Sequence, residues 1–176
     1  MSPNTRDEVD GGLIPGSDGA PLPAGEWIIR VAKTSKYGFS AHQSAFELSS
    51  KDKRAIVPRL SVWAEELTTD EQAWRLTGGR AANDAILRLN VDAIRSLIPV
   101  PRDPPPPHLD VEGETLIVDM PGQGLVPDIR PGALGHAGIR HLRDGTKEPY
   151  KSLRVQLAEM AEVRRLPDGL LNEGMT

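Results

Sequence analysis

Arg30, Ser61 and His136 are the residues of this chain whose types and settings best suit chemistry. His136 stands in Gly135-His136-Ala137-Gly138, where small neighbours let a backbone or a ligand come close. An imidazole placed there can titrate near neutrality, bind an anion or donate to a carbonyl. Arg30 is the one charged residue in the run Trp27-Ile28-Ile29-Arg30-Val31-Ala32, and its planar fork suits phosphate or carboxylate. Ser61 lies within Arg59-Leu60-Ser61-Val62-Trp63-Ala64, where its hydroxyl could bond a ligand. Tyr37 and His42, in the polar stretch of residues 35–53, are further ligand-binding candidates. Each has a structural reading as well. In that reading Arg30 sits at a strand edge with its guanidinium in water. Ser61 is then a neutral spacer, His136 bonds backbone in a buried turn, and His42 is a surface histidine.

Several chemistries find no support. There are no cysteines, so disulfides, thiolate zinc sites and cysteine nucleophiles are excluded. His108, His136, His141, Asp119 and Asp128 have no spacing typical of metal ligands, and no metal site is expected. In an extended segment the odd separation of His136 and His141 puts their rings on opposite faces. Gly122-Gln123-Gly124 lacks the Lys-Ser/Thr of a phosphate loop. Ser61 is not framed by a Gly-x-Ser-x-Gly elbow. No motif specifies a cofactor. The net charge of −4 argues against sequence-independent nucleic-acid binding, which needs a basic footprint. The first ten residues lack the apolar core of a signal peptide, and no run approaches the roughly 20 apolar residues of a membrane span. A cytoplasmic protein without a membrane segment is the expectation.

Two functional classes remain. The first is a non-enzymatic binding or protein-interaction module, docking partners through the amphipathic last helix or the Asp103-Pro104-Pro105-Pro106-Pro107 run. The second is a small transferase or hydrolase acting on a nucleotide-like ligand. Arg30 would hold a phosphate, Ser61 would bond the ligand, and His136 would serve as acid, base or orienting donor. An Arg on one strand and a Ser on another resembles the arrangement in ADP-ribosyltransferases that use Arg, Ser and Glu. The resemblance covers those two positions and identifies no matching glutamate.

These residues need elements to position them. Glu26–Thr34, Arg59–Ala64 and Ala85–Val91 read as strands by alternation and apolar content. Thr68 and Glu71 have the spacing of a capping box opening a helix that Gly78-Gly79 closes. Asn90 caps a short helix over residues 91–97. Residues 98–107 form a stiff proline spacer. Glu112-Gly113 reads as a turn before a strand from Thr115 to Met120, and residues 127–145 read as irregular. A last helix spans Lys151–Leu166, with Leu153, Leu157 and Met160 on one stripe. The three Trp, two Tyr and two Phe anchor a modest core in a chain of 176 residues that is 38% hydrophobic. Together these elements predict an α+β domain over residues 26–167. It would have a mainly antiparallel or mixed sheet of four to five strands, two main helices and long Pro/Gly-rich loops. A flexible tail (1–25) would precede it and a loose one (168–176) follow it.

Overall fold

The structure, a computed structural model, describes residues 18–34, 38–143 and 147–173. Its frame is an α+β arrangement built on a six-stranded sheet in which every pairing is antiparallel. The strands are β1 (Trp27–Ala32), β2 (Arg59–Ala64), β3 (Ala85–Asn90), β4 (Asp110–Gly113), β7 (His136–Arg140) and β8 (Glu162–Arg165). Their order is β4-β7-β2-β1-β3-β8. Two further strands, β5 (Ile117–Met120) and β6 (Gly124–Pro127), form a separate hairpin. The helices are α1 (Ser50–Arg54), α2 (Asp70–Leu76), α3 (Val91–Ser96), α4 (Tyr150–Met160) and α5 (Asp168–Glu173). Among the described residues no helix is long and apolar enough to cross a membrane.

Both faces of the sheet are covered where its strands are apolar on both sides. Ile28, Leu60, Val62, Leu87, Leu89, Val111 and Ile139 belong to one core cluster with Val91 and Ile94 of α3, Leu153 and Leu157 of α4, and Phe46. The apolar stripe of α4 is therefore spent inside the molecule. On the opposite face Ile29, Val31, Trp63 and Ile86 lie under Ala73 and Trp74 of α2 and under Leu166 and Leu170. Burial of this kind contributes roughly 25 cal/mol for each Å² of apolar surface removed from water. Past Trp63, towards β7 and β4, that second face turns polar, with Arg59, Ser61, His136 and Glu112. Ser61 and His136 lie there, whereas Arg30 starts on the first face, in step with Ile28 and Ala32, and its guanidinium reaches the gap between β1 and β2.

The structure corrects several expectations. The sheet has six strands with an additional hairpin, where four to five were expected. The segment expected to be irregular contains β7, an interior strand. Gly135 and Gly138 suggest turns by composition, yet each makes room for a neighbour. A Cβ on Gly138 would stand 2.4 Å from Arg59 Cβ, and one on Gly135 would stand 1.9 Å from Thr68 Oγ1. The Glu112-Gly113 pair lies in β4, paired with Gly138 and Ala137. The last helix ends at Met160, and Glu162–Arg165 pairs with β3, setting Val163 opposite Leu87. Arg164 is held there by Asp70 at 2.8 Å and Glu65 at 3.3 Å, so it belongs to a strand and not to a helix terminus.

The capping box of α2 lies one residue later than expected. Thr69 accepts from Gln72 N, and Gln72 reaches back to Thr69 N. Thr68 instead donates to the Gly132 carbonyl at 2.8 Å. Late in the polar stretch of residues 35–53, Ser49 and Asp52 form a full capping box that starts α1. Ala45 belongs to a 3₁₀ turn over Gln43–Phe46. At the ends, Leu22 is buried and its amide donates to Val111 O, while Leu170 of α5 is buried as well. Residues 1–17 lie outside the described part.

The Gly138 contact yields a prediction. Gly138→Ala forces a Cβ against Arg59 Cβ, which the β2 backbone holds in place. It should cost about 1–3 kcal/mol, as overpacking does. Urea denaturation checks this, with Gly169→Ala as control because a Cβ there meets nothing within 4 Å. Equal midpoints for the two variants would contradict the β2–β7 packing.

Candidate functional site

β2 and β7 set the floor of the site. Their register places Trp63 opposite His136 and Ser61 opposite Gly138. Alternation then puts Arg59, Ser61, Trp63 and His136 on one face. α1 forms one wall. Its capping box turns Asp52 towards β2: Oδ2 accepts from Ser49 N at 3.0 Å, and Oδ1 accepts from the Ser61 hydroxyl at 3.0 Å. Lys51, next along α1, is exposed. Leu116, ahead of β5, lies opposite.

These elements enclose two adjoining hollows of about 370 and 510 Å³. Lys51, Asp52, Ser61, Leu116 and His136 line both. Arg30 closes the smaller hollow, and Arg59, Glu114 and Asp18 line the larger. The two form one cleft.

Arg30 reaches the cleft in an unusual way. β1 and β2 pair at Ile28–Ala64 and Ile29–Trp63, and the pairing goes no further. From that point the guanidinium bridges the strands. Its Nη1 donates to the Ser61 carbonyl at 2.6 Å, and its Nε donates to the Ala45 carbonyl. Among the described residues no carboxylate stands within ion-pairing distance of it. Burial lowers its pKa to about 10, with Asp52 opposing, so it stays charged at neutral pH.

His136 is 4% exposed and packs against Trp63, with ring centroids 4.7 Å apart and planes at 57°. Its Nδ1 lies 2.9 Å from the Glu114 carbonyl oxygen. A carbonyl only accepts, so Nδ1 carries the hydrogen and Nε2 of the neutral ring keeps its lone pair. Burial moves its pKa down, against the bond to Glu114 and the charge of Asp52.

The far end of the cleft is a network around Arg59. Its Nε donates to Glu112 at 2.7 Å, and Nη1 stands 3.4 Å from both Asp18 and Glu114. Burial alone would lower the Arg59 pKa, but Glu112 and its neighbours raise it overall. Glu114 is pushed up to about 7, first by burial, with Arg59 opposing and Asp52 and Asp18 adding to the rise.

Arg30, Ser61 and His136 thus line a single cleft. His42 does not reach it. Its Nδ1 accepts from Ser44 N at 3.2 Å, and it lines a shallow hollow beside α4 with Ala158 and Glu159. Tyr37 lies outside the described residues. His141, at φ 72°, lines a separate hollow with Arg140 and Arg143. Among the described residues no three of His, Asp and Glu converge to hold a metal ion. Sequence reasoning missed Asp52, Lys51, Arg59 and Glu114. The Ser49-x-x-Asp52 spacing is a capping signal that would have placed the first two on a helix. Nothing local marks Glu114 as a neighbour of His136. Compared with known protein families, with curated proteins and with solved structures, the chain matches none.

The Glu114 shift gives a prediction with a sign. Its folded pKa of about 7 exceeds its ordinary value of 4.5, so between those values the folded chain holds a proton that the unfolded chain has lost. Stability must then fall as pH rises from about 4.5 to about 7. Glu26, also raised to about 7, acts in the same window. The comparison of wild type with Glu114→Gln therefore isolates Glu114. Urea unfolding across that window should show a shallower decline for the variant, and parallel profiles would contradict the assignment.

Proposed function

We propose that this protein is a non-enzymatic binding protein for a small anionic, nucleotide-like ligand, held in the cleft between α1 and the β2–β7 floor. One observation carries the reading. Arg30 is lodged between β1 and β2, and among the described residues its hydrogen bonds go to two backbone carbonyls and no carboxylate pairs with it. Carbonyls satisfy guanidinium hydrogens but bring no net charge, Asp52 acts on Arg30 without a direct bond, and an anion would complete the compensation. Lys51, on the same cleft, adds a second cation.

Binding fits the geometry better than covalent catalysis. The Ser61 hydroxyl donates to Asp52 and not to His136. Ser61 is also mid-strand, opposite Gly138, so the amides around it belong to the sheet and do not form an oxyanion site. A second reading, a protein-interaction module, is favoured by exposed apolar residues on and near the β5–β6 hairpin: Leu125 is 76% exposed and Ile129 89%. Size-exclusion chromatography showing only monomer at high concentration contradicts self-association through that hairpin.

The anion reading is tested by calorimetric titration with pyrophosphate and AMP. Wild type should bind saturably. Lys51→Ala, an exposed position, should weaken binding on the order of tenfold, about 1.4 kcal/mol, at unchanged melting temperature. Arg30→Gln, checked for folding by circular dichroism, should abolish it. Absence of saturable binding by wild type, or full binding by folded Arg30→Gln, would overturn the proposal.

A further inference from the structure

We infer that the ligand is a hydroxyl-bearing phosphate ester of the sugar phosphate class, its phosphate at Arg30 and Lys51 and its hydroxyls at Asp52, Ser61 and His136. The inference rests on the anion site proposed above and adds the chemistry of the rest of the occupant.

The starting observation is His136. It is nearly all buried, its Nδ1 is committed to the Glu114 carbonyl, and its Nε2 has no hydrogen-bond partner among the described residues. Arg164 Nε is the one side-chain nitrogen or oxygen found fully buried without a partner among those residues. His136 Nε2 therefore reaches solvent, and the opening that His136 lines is the cleft. With Nδ1 protonated, Nε2 of the neutral ring can only accept.

The neighbouring groups are acceptors as well. The Ser61 hydrogen is used on Asp52, leaving the lone pairs of Ser61 Oγ. Asp52 accepts one hydrogen bond at each oxygen, from Ser61 and from Ser49 N, and each oxygen has a further lone pair. The middle of the cleft thus offers Asp52, Ser61 and His136 as acceptors, while Arg30 and Lys51 bring donors and positive charge. Buried polar groups need partners, so a well-fitted occupant brings hydrogens to the first set and an anion to the second. Hydroxyls supply those hydrogens without charge. A hydroxyl also places no charge among Lys51, Arg59, Asp18, Asp52 and Glu114, which line the same cleft. A phosphate ester of a polyol meets both demands within one small molecule.

The test compares methyl phosphate, ribose phosphate and ribose by calorimetric titration of the full chain. Wild type should bind ribose phosphate at least about tenfold more tightly than methyl phosphate. His136→Phe keeps a ring against Trp63 but removes the lone pair, and should bring the two affinities together. Ser61→Ala should narrow the gap, and it serves if His136→Phe fails to fold. Arg30→Gln should lose both phosphates. If wild type binds methyl phosphate and ribose phosphate equally, the hydroxyl assignment is overturned while the anion site stands. If it binds neither, the anion site itself is wrong. A ribose phosphate advantage that survives unchanged in folded His136→Phe and in Ser61→Ala overturns the assignment of acceptors.

Discussion

The guanidinium of Arg30, wedged where β1 and β2 part, is the constraint on which the rest depends. The two strands pair at Ile28–Ala64 and Ile29–Trp63, and beyond those pairs the Ser61 carbonyl bonds Arg30. The Ala45 carbonyl, on the 3₁₀ turn that carries Phe46 into the core, bonds the same side chain. One residue therefore ties the turn, the central strands and the cleft together. Its position is costly, since a guanidinium leaves water for two neutral carbonyls. The anion site proposed above would offset that cost at the cleft.

Around this wedge the molecule separates apolar from polar work. The face with Leu60, Val62 and Ile139 is a closed core. The opposite face is divided: Ile29, Val31 and Ile86 lie under α2 and Leu166, while Ser61, His136 and Arg59 lie under α1 and the cleft. Trp63 belongs to both halves, packing in the second core cluster and against the His136 ring. Gly138 is part of the same economy of space, because the Arg59 side chain crosses it to reach Glu112, and both charged side chains are nearly buried. Removing one partner of such a pair leaves an uncompensated buried charge, which is why the network reads as a scaffold and not as a spare ligand site.

Much of this was legible in the sequence where local signals agree. β1, β2 and β3 are short, mostly apolar runs, α2 opens on acidic residues, and Asn90 caps α3 where its position suggests. Arg30 and His136 stood out by type against their surroundings, and both line the cleft. What stayed hidden depends on long-range contacts. β7 reads as loop because Gly135 and Gly138 look like turn formers, and only the Arg59 and Thr68 side chains explain them. β8 continues the pattern of α4 until β3 offers a partner edge. Asp52 bonds Ser61 across nine positions and His136 bonds Glu114 across 22, distances that no local pattern encodes.

In our proposal Arg30 is a fixed cation awaiting an anion. This is tested most directly by nitrogen-15 NMR of the arginine side chains during titration with inorganic phosphate. The account predicts a Nε–H signal for Arg30 that exchanges slowly with water before any addition, because the Ala45 carbonyl holds it. It further predicts that the Arg30 Nη signals shift saturably with phosphate while those of Arg75, paired with Glu71 on the surface of α2, stay in place. A rapidly exchanging Arg30 Nε–H, or Nη signals indifferent to phosphate, would contradict it.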